Sequence, residues 1–342
     1  MGTSEETSRE LENPVARSTA TTPISRLLVP LDLSPTADDC LSTVASLALA
    51  ADAEVTLLHV LESPAGASHE HPTSALAWQL RRCEARTHME HALARLKQAG
   101  VKTKVRIAQG HAAEQILAEA FTAGADLTVL SRHGRSGESK WSIGSTAKKV
   151  IERARGSLLI VPVGKRDSIP PRVPPRRILI PLDGSIRAEC ALAIAHQIAA
   201  ASGAEIILVH TVRDTHSPPR CHVASEDARL EEELAERWER NARAYLARIQ
   251  CELKMSHKSV RSIVAQGRDA PKVIMDVAEK ERADLVVMTA HGMTCNIQKS
   301  HGSVAEHLIN YCNCPVLLVH DLINDDLAAD SKQTSVPPVR HG

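Results

Sequence analysis

RLLVPLDLS at residues 26–34 returns as RILIPLDGS at residues 177–185, 151 residues on. AEVTLLHV at 53–60 returns at the same offset as AEIILVHT at 204–211. A third pair follows: His133-Gly134 with Gly144-Ser145, and His291-Gly292 with Gly302-Ser303, offset by 158. A period of this length is far beyond the roughly 20 to 50 residues of solenoid repeats. The chain is therefore a duplicated domain, and any site it carries should come in pairs.

Working outward from residues 26–34, the pattern is strand then helix, repeated. Residues 27–31 form a short apolar strand, and Ser34-Pro35 places an N-cap before proline at the first helical position. Leu41, Val44, Ala45, Ala48 and Leu49 then follow the spacing of a buried helix face. Strand-like runs recur at 55–60, 101–108, 127–130 and 158–161, and the plan repeats from 178 to 319. Continuous apolar strands alternating with helices imply an α/β fold. Two tandem domains are expected, each a mostly parallel five-stranded sheet with helices on both faces.

The domain boundaries read as a tail over 1–23, a first domain over 24–164, a proline-rich linker over 165–175, a second domain over 176–321 and a tail over 322–342. The tails should be disordered and the linker extended and stiff. Because the first two motifs are offset by 151 and the third by 158, the second copy carries seven extra residues. Most of them should lie in the charged helical stretch around 227–255, a solvated face.

Composition excludes more than it selects. Lys plus Arg and Asp plus Glu both number 41, so nothing points to nucleic acid or an anionic membrane. Apolar runs are interrupted at Asp52 and His196, short of the roughly 18 residues that span a bilayer. Residues 1–22 contain no apolar signal-peptide core, which makes the cytoplasm the expected location. The eight cysteines read as reduced thiols. Cys312-x-Cys314 lacks a second ligand pair and reads as structural, and His69 and His71 have no helix-spaced partner for a metal.

In an open α/β sheet, ligands sit beyond the carboxyl ends of the strands where strand order reverses. Asp32 and Asp183 lie at the first strand ends, His59-Val60 and His210-Thr211 at the second, and the His-Gly pairs after the fourth. Gly144-Ser145-Thr146 precedes the helical pattern of Ala147, Val150, Ile151 and Ala154. Its amides, without intrahelical acceptors and at the positive end of a helix dipole, suit phosphate. Asp32 and Asp183 have a second reading, as residues that hold the turn itself. His59 and His210 read as strand-end packing or hydrogen-bonding residues, and Arg132, Arg135 and Lys140 as loop cations that either neutralise a phosphate or are simply solvated.

Across residues 24–321 the chain resembles a tandem universal stress protein. Nucleotide-binding members of that family carry G-x2-G-x9-G followed by Ser or Thr. Here the copies read Ser131-x2-Gly134-x9-Gly144-Ser145 and Thr289-x2-Gly292-x9-Gly302-Ser303, so both keep two glycines and the hydroxyl residue and both lack the first glycine. The resemblance implies a Rossmann-like, adenine nucleotide alpha hydrolase-like fold. It further implies a nucleotide site built from Pro30, Asp32, Val60, Ser131, His133, Gly134, Gly144, Ser145 and Thr146. The second set is Pro181, Asp183, Thr211, Thr289, His291, Gly292, Gly302, Ser303 and Val304. Asp32 and Asp183 would lie near adenine and ribose, Val60 and Thr211 would hold adenine through the backbone, and the glycine loops would hold ribose and phosphates. If the first glycine serves a positive φ, a side chain there obstructs; if it only shortens the loop, serine adds a donor.

The expected ligand is ATP or another adenine nucleotide, with or without Mg2+. No nucleophile–base pair, G-x-S-x-G elbow or G-x4-G-K-[ST] loop stands out. Non-catalytic nucleotide binding in a stress response therefore leads, with a slow metal-dependent ATPase and a scaffold with degraded sites as alternatives. The resemblance also implies pairing of the two copies through 158–161 and 316–319, strands that would otherwise be exposed edges. Such an intra-chain pseudo-dimer leaves room for further self-association, and Pro162 should end the pairing. Binding should be tighter in the first copy, whose loop carries Arg132, Arg135 and Lys140 against Lys299 alone.

Overall fold

The computed structural model describes residues 23–34, 40–62, 72–133, 143–162, 174–213, 225–293 and 300–320. Apart from Pro23, the expected tails and nearly all of the linker, together with His69 and His71, lie outside them. The first half runs β1 (Arg26–Pro30), α1 (Cys40–Ala51), β2 (Glu54–Leu61), α2 (Pro72–Gln98), β3 (Thr103–Gln109), α3 (Ala112–Thr122), β4 (Leu127–Ser131), α4 (Ser145–Arg153) and β5 (Ser157–Val161). The second half runs β6 (Arg177–Pro181), α5 (Ile186–Ser202), β7 (Glu205–Val212), α6 (Ser225–Lys254), β8 (Val260–Gln266), α7 (Ala270–Lys280), β9 (Leu285–Thr289), α8 (Ser303–Tyr311) and β10 (Val316–Val319).

The strands form one ten-stranded sheet in the order β3-β2-β1-β4-β5-β10-β9-β6-β7-β8. Within each half every pairing is parallel. The halves meet where β10 runs antiparallel to β5, with Val316, Leu317 and Leu318 opposite Ile160, Leu159 and Leu158. β5 ends at Val161, the residue before Pro162, which has no amide to donate. His320 N adds a bond to Ser157 Oγ at 3.3 Å.

Period-two alternation divides the core between the two faces of the sheet. Leu27 and Val29 belong to one buried cluster and Leu28 to the other, and in the second copy Ile178 and Ile180 separate from Leu179 in the same way. Residues of α1, α2, α5 and α6 complete the first cluster, and residues of α3, α4, α7 and α8 the second. Each cluster draws on both halves, so the apolar layers are continuous across the joint. Gln197 of α5 reinforces it, accepting from Ile24 N at 3.1 Å and donating to Ile24 O at 3.4 Å.

Some expectations shift locally. The third strand begins at Thr103, not residue 101, because the Val101 amide returns to Leu96 O at 3.0 Å and closes the end of α2. In α1, Leu49 is exposed and Leu47 takes a buried place. The extra residues of the second copy fall mainly between β7 and β8, where α6 has 30 residues against 27 in α2. Its Arg240–Glu236, Arg243–Glu239 and Arg248–Glu252 pairs lie along one face of this helix, while Ala242, Leu246 and Ile249 are buried on another.

Leu159 and Leu317 are fully buried and directly opposed. Each Leu→Ala substitution is expected to cost about 2–5 kcal/mol in urea unfolding. As neighbours, they should also be non-additive in the double variant by about 0.5 kcal/mol or more. Additive losses would mean that the two side chains do not share one packed layer.

Candidate functional site

Strand order reverses about β1, which lies between β2 and β4. A cavity of about 690 Å3 opens beyond the carboxyl ends of these strands, within the range of small-molecule and cofactor sites. Its lining includes Pro30, Asp32, Val60, Ser131, Gly144, Ser145 and Thr146, so residues from four separate segments of sequence meet at one cavity. His133 is half-buried outside this lining, and Gly134, Arg135 and Lys140 lie outside the described residues.

Each strand end is held locally. Leu31 N donates to Leu58 O at 2.8 Å, and His59 Nδ1 lies 2.7 Å from Leu31 O. A carbonyl can only accept, so Nδ1 carries the proton and this buried histidine ties the ends of β1 and β2 together. Asp32 Oδ1 accepts from Ser34 N at 3.1 Å and Ser34 Oγ at 2.5 Å, across Leu33 at φ 62°. The turn-holding reading of Asp32 is thus realised while its side of the turn still borders the cavity.

The turn before α4 presents the opposite polarity. Gly144 is the N-cap, with no side chain to occupy the free amides of the first turn, and its own N donates to Arg132 O at 2.8 Å. Ser145 and Thr146 are exposed. Gly144 has φ −60° and Gly302 φ −77°, ordinary extended values. Neither glycine is needed for a left-handed backbone, so what glycine offers here is close approach. Ser131 and Thr289, which replace the first motif glycine, are the last residues of β4 and β9 and have no positive φ either. A positive-φ requirement at those positions is therefore excluded.

Arg132 departs from expectation. Its side chain is buried against the second half, where Nη2 donates to Cys312 O, so it turns away from the phosphate-side crevice. Among the described residues, the cation that lines the cavity is Arg81 of α2, beside Glu84, with Glu62 and Ile116 nearby. Motif spacing could not find them. The available signal was positional: Arg81 and Glu84 are one helical turn apart, on a helix following the strand that carries Val60.

In the second half the equivalent residues bond to one another. Asp183 Oδ1 accepts from Ser185 N at 3.0 Å and Ser185 Oγ at 2.6 Å, and Oδ2 accepts from Met293 N at 2.6 Å. Thr289 Oγ1 donates to His291 O at 2.7 Å, and Gly302 N to Ala290 O at 2.8 Å. A Cβ on Gly292 would overlap Asp183 Oδ2, so glycine permits the segment after β9 to lie on this carboxylate. Burial disfavours the Asp183 charge, but the bonds from Ser185 and Met293 outweigh it and hold its pKa below the ordinary carboxylate value.

A cavity of about 350 Å3 on this half lies under α6, lined by Thr211, His210, Trp238, Asn241 and Tyr245 among others. Pro181, Asp183, Gly302, Ser303 and Val304 are not part of that lining. His210, the counterpart of His59, faces Leu182 O without closing a hydrogen bond, and its ring meets Tyr245 edge-on at 5.9 Å. Burial lowers the His210 pKa against the opposing effects of Leu182 O and Asp183, and raises that of the Tyr245 hydroxyl, with Glu189 adding to the rise.

Comparison with known proteins agrees with the duplication. The model of the universal stress protein family matches residues 23–162 and again 175–320. A universal stress protein of Methanocaldococcus jannaschii is 29% identical over 153 residues, covering 42% of this chain and 94% of that protein. One from Thermus aquaticus is 31% identical over 144 residues, covering 42% of this chain and 98% of its own. Among solved structures, a universal stress protein of Archaeoglobus fulgidus has a TM-score of 0.62 at 19% identity, covering 87% of this chain and 99% of that one, a likeness of fold. No helix among the described residues is long and apolar enough to cross a membrane.

The depressed Asp183 pKa has a definite sign in stability. Its contribution is fully present above the unfolded value of about 3.9 and is lost as pH falls through the lower folded value. Asp183→Asn should therefore cost about 1 kcal/mol or more at pH 7, and the gap in thermal midpoint should narrow below about pH 4. A gap independent of pH would mean that the carboxylate charge is not what the Ser185 and Met293 donors serve.

Proposed function

The chain belongs to the universal stress protein family, and we propose that it is a non-catalytic binder of adenine nucleotides, ATP or AMP, acting in stress response through nucleotide-dependent shape or partner binding. The observation that carries this reading is the first-half cavity of about 690 Å3, which joins the ends of β1 and β2 to the N-terminus of α4. In this reading adenine meets the Val60 backbone and ribose lies by Asp32. The phosphates meet the first-turn amides of α4, where the helix dipole favours an anion. Arg81 supplies a cation at the same cavity. A Mg2+ ion riding on the phosphates would find Asp32 as its nearest carboxylate from the expected set. The Oδ1 bonds to Ser34 speak against Asp32 as a general base, which favours binding over hydrolysis.

The β5–β10 pairing supports a second part of the proposal: one chain acts as an internal pseudo-dimer, with its halves standing where two single-domain copies would pair. The halves are unequal in this reading. Asp183 already receives Met293 N, so nucleotide in the second crevice would have to displace the segment after β9.

A ligand at about 100 times its Kd stabilises the fold by roughly 2.7 kcal/mol, so saturating ATP or AMP should raise the thermal midpoint of the full chain. The extended backbone at Gly144 is one that valine can adopt, so the substitution adds bulk at the turn without straining it. Gly144→Val is thus expected to fold and to lose the shift, while Gly302→Val keeps most of it. An undiminished shift in Gly144→Val would place the ligand elsewhere. Phosphate release by the full chain that disappears in Asp32→Asn would establish the ATPase instead.

A further inference from the structure

Cys312 and Cys314 follow α8 and lead into β10, the strand that joins the halves. Their sulfurs are 3.4 Å apart and not bridged, and both residues are buried on either side of exposed Asn313. Arg132 from the other half enters the same place. It is buried, its Nη2 donates to Cys312 O, and its Nε has no hydrogen-bond partner among the described residues. Burial drives the guanidinium pKa down and the two sulfurs oppose that fall, so cation and thiols are electrostatic neighbours. No carboxylate pairs with Arg132 among the described residues. A cation beside a thiol favours the thiolate, the nucleophilic form.

The cluster exists on one side of the joint only. At the duplicated positions the first half has Ala154 and Gly156 in place of the cysteines, and the second half has Ala290 in place of Arg132. Repetition of the fold therefore does not require it. Two buried apolar residues would fill this loop without placing two sulfurs against a guanidinium that no carboxylate pairs with among the described residues.

We propose that Cys312 and Cys314 are a peroxide-reactive dithiol, activated by Arg132 across the joint and oxidised to an intramolecular disulfide. One thiolate attacks a peroxide oxygen, the O–O bond breaks, and hydroxide leaves and is protonated to water, giving a sulfenic acid. The second thiolate attacks that sulfur and displaces hydroxide, which takes up a proton as the second water. Two thiols thus lose two electrons, and one hydrogen peroxide is reduced to two waters. Few atoms need move, since the sulfurs close from 3.4 Å to a bond of about 2.05 Å. A bridge confined to a three-residue loop should also be readily reduced, as strained disulfides are.

The test exposes the full native chain to a small molar excess of hydrogen peroxide, followed by alkylation under denaturing conditions and mass spectrometry of the peptides. The Cys312–Cys314 peptide should become two hydrogens lighter and resist alkylation until reduced, before exposed Cys83 and Cys251 are oxidised. Cys312→Ser should halt the reaction at a sulfenic acid on Cys314, trapped by a dimedone probe. Arg132→Met should slow oxidation about ten-fold, the effect of one pKa unit on thiolate population, while Arg132→Lys keeps most of the rate. If the Met variant does not fold, the wild-type rate must still reach half its maximum below about pH 8.5, the ordinary thiol value. Oxidation of Cys83 and Cys251 while Cys312 and Cys314 remain thiols would overturn the proposal, as would an unchanged rate in folded Arg132→Met.

Discussion

Two half-sheets that each end in a strand apolar on both faces cannot stand apart in water. Every residue of β5 and of β10 is buried, and the register of Leu158–Ile160 against Val316–Leu318 brings this about by pairing the two ends. Left exposed, either edge would present unpaired amides and carbonyls together with an apolar surface to other chains. Antiparallel pairing inside one molecule removes both edges at once and makes the two core layers continuous. The positions of both crevices follow from it, since each is fixed by strands counted outward from the joint.

The same joint makes room for divergence. A turn of the form Asp-x-Ser closes the first strand of each half, with the aspartate accepting from the serine two residues on. In the second half the other carboxylate oxygen also receives the Met293 amide, so a group that could face a ligand is used to hold the protein's own backbone. Once two sites share one chain, one of them can become structural without loss of the other. A depressed carboxylate pKa at Asp183 therefore reflects intramolecular donors, and its location in a crevice does not by itself indicate chemistry.

Most of the fold was legible because duplication repeats the local physics. Apolar runs of strand length, helix faces at 3.6-residue spacing and Ser or Gly at helix starts recur at matching positions, and each recurrence tests the first reading. The lining of the first cavity was legible where it depends on backbone: strand ends at Pro30 and Asp32, the Val60 position and the Gly144 turn. It was not legible where it depends on side-chain direction. Arg132 was read with Arg135 and Lys140 as a loop cation near a phosphate, yet alternation past the strand end sends neighbours to opposite faces and takes its guanidinium toward Cys312. Arg81 was missed for the converse reason, since a cation on a long charged helix is indistinguishable in sequence from its solvated neighbours.

Arg132 also links the joint to the crevice. Its side chain donates to the Cys312 carbonyl in the other half, while its own carbonyl accepts the Gly144 amide at 2.8 Å in the turn before α4. A displacement of the loop between α8 and β10 thus has a short bonded route to the turn whose amides face the first cavity. Rigid, close-packed interiors transmit such displacements instead of absorbing them. Because Ala290 stands at the matching position, the second crevice lacks the equivalent arginine. The asymmetry of the joint and the asymmetry of the two sites therefore favour the same half, the one in which the expected residues surround an open cavity.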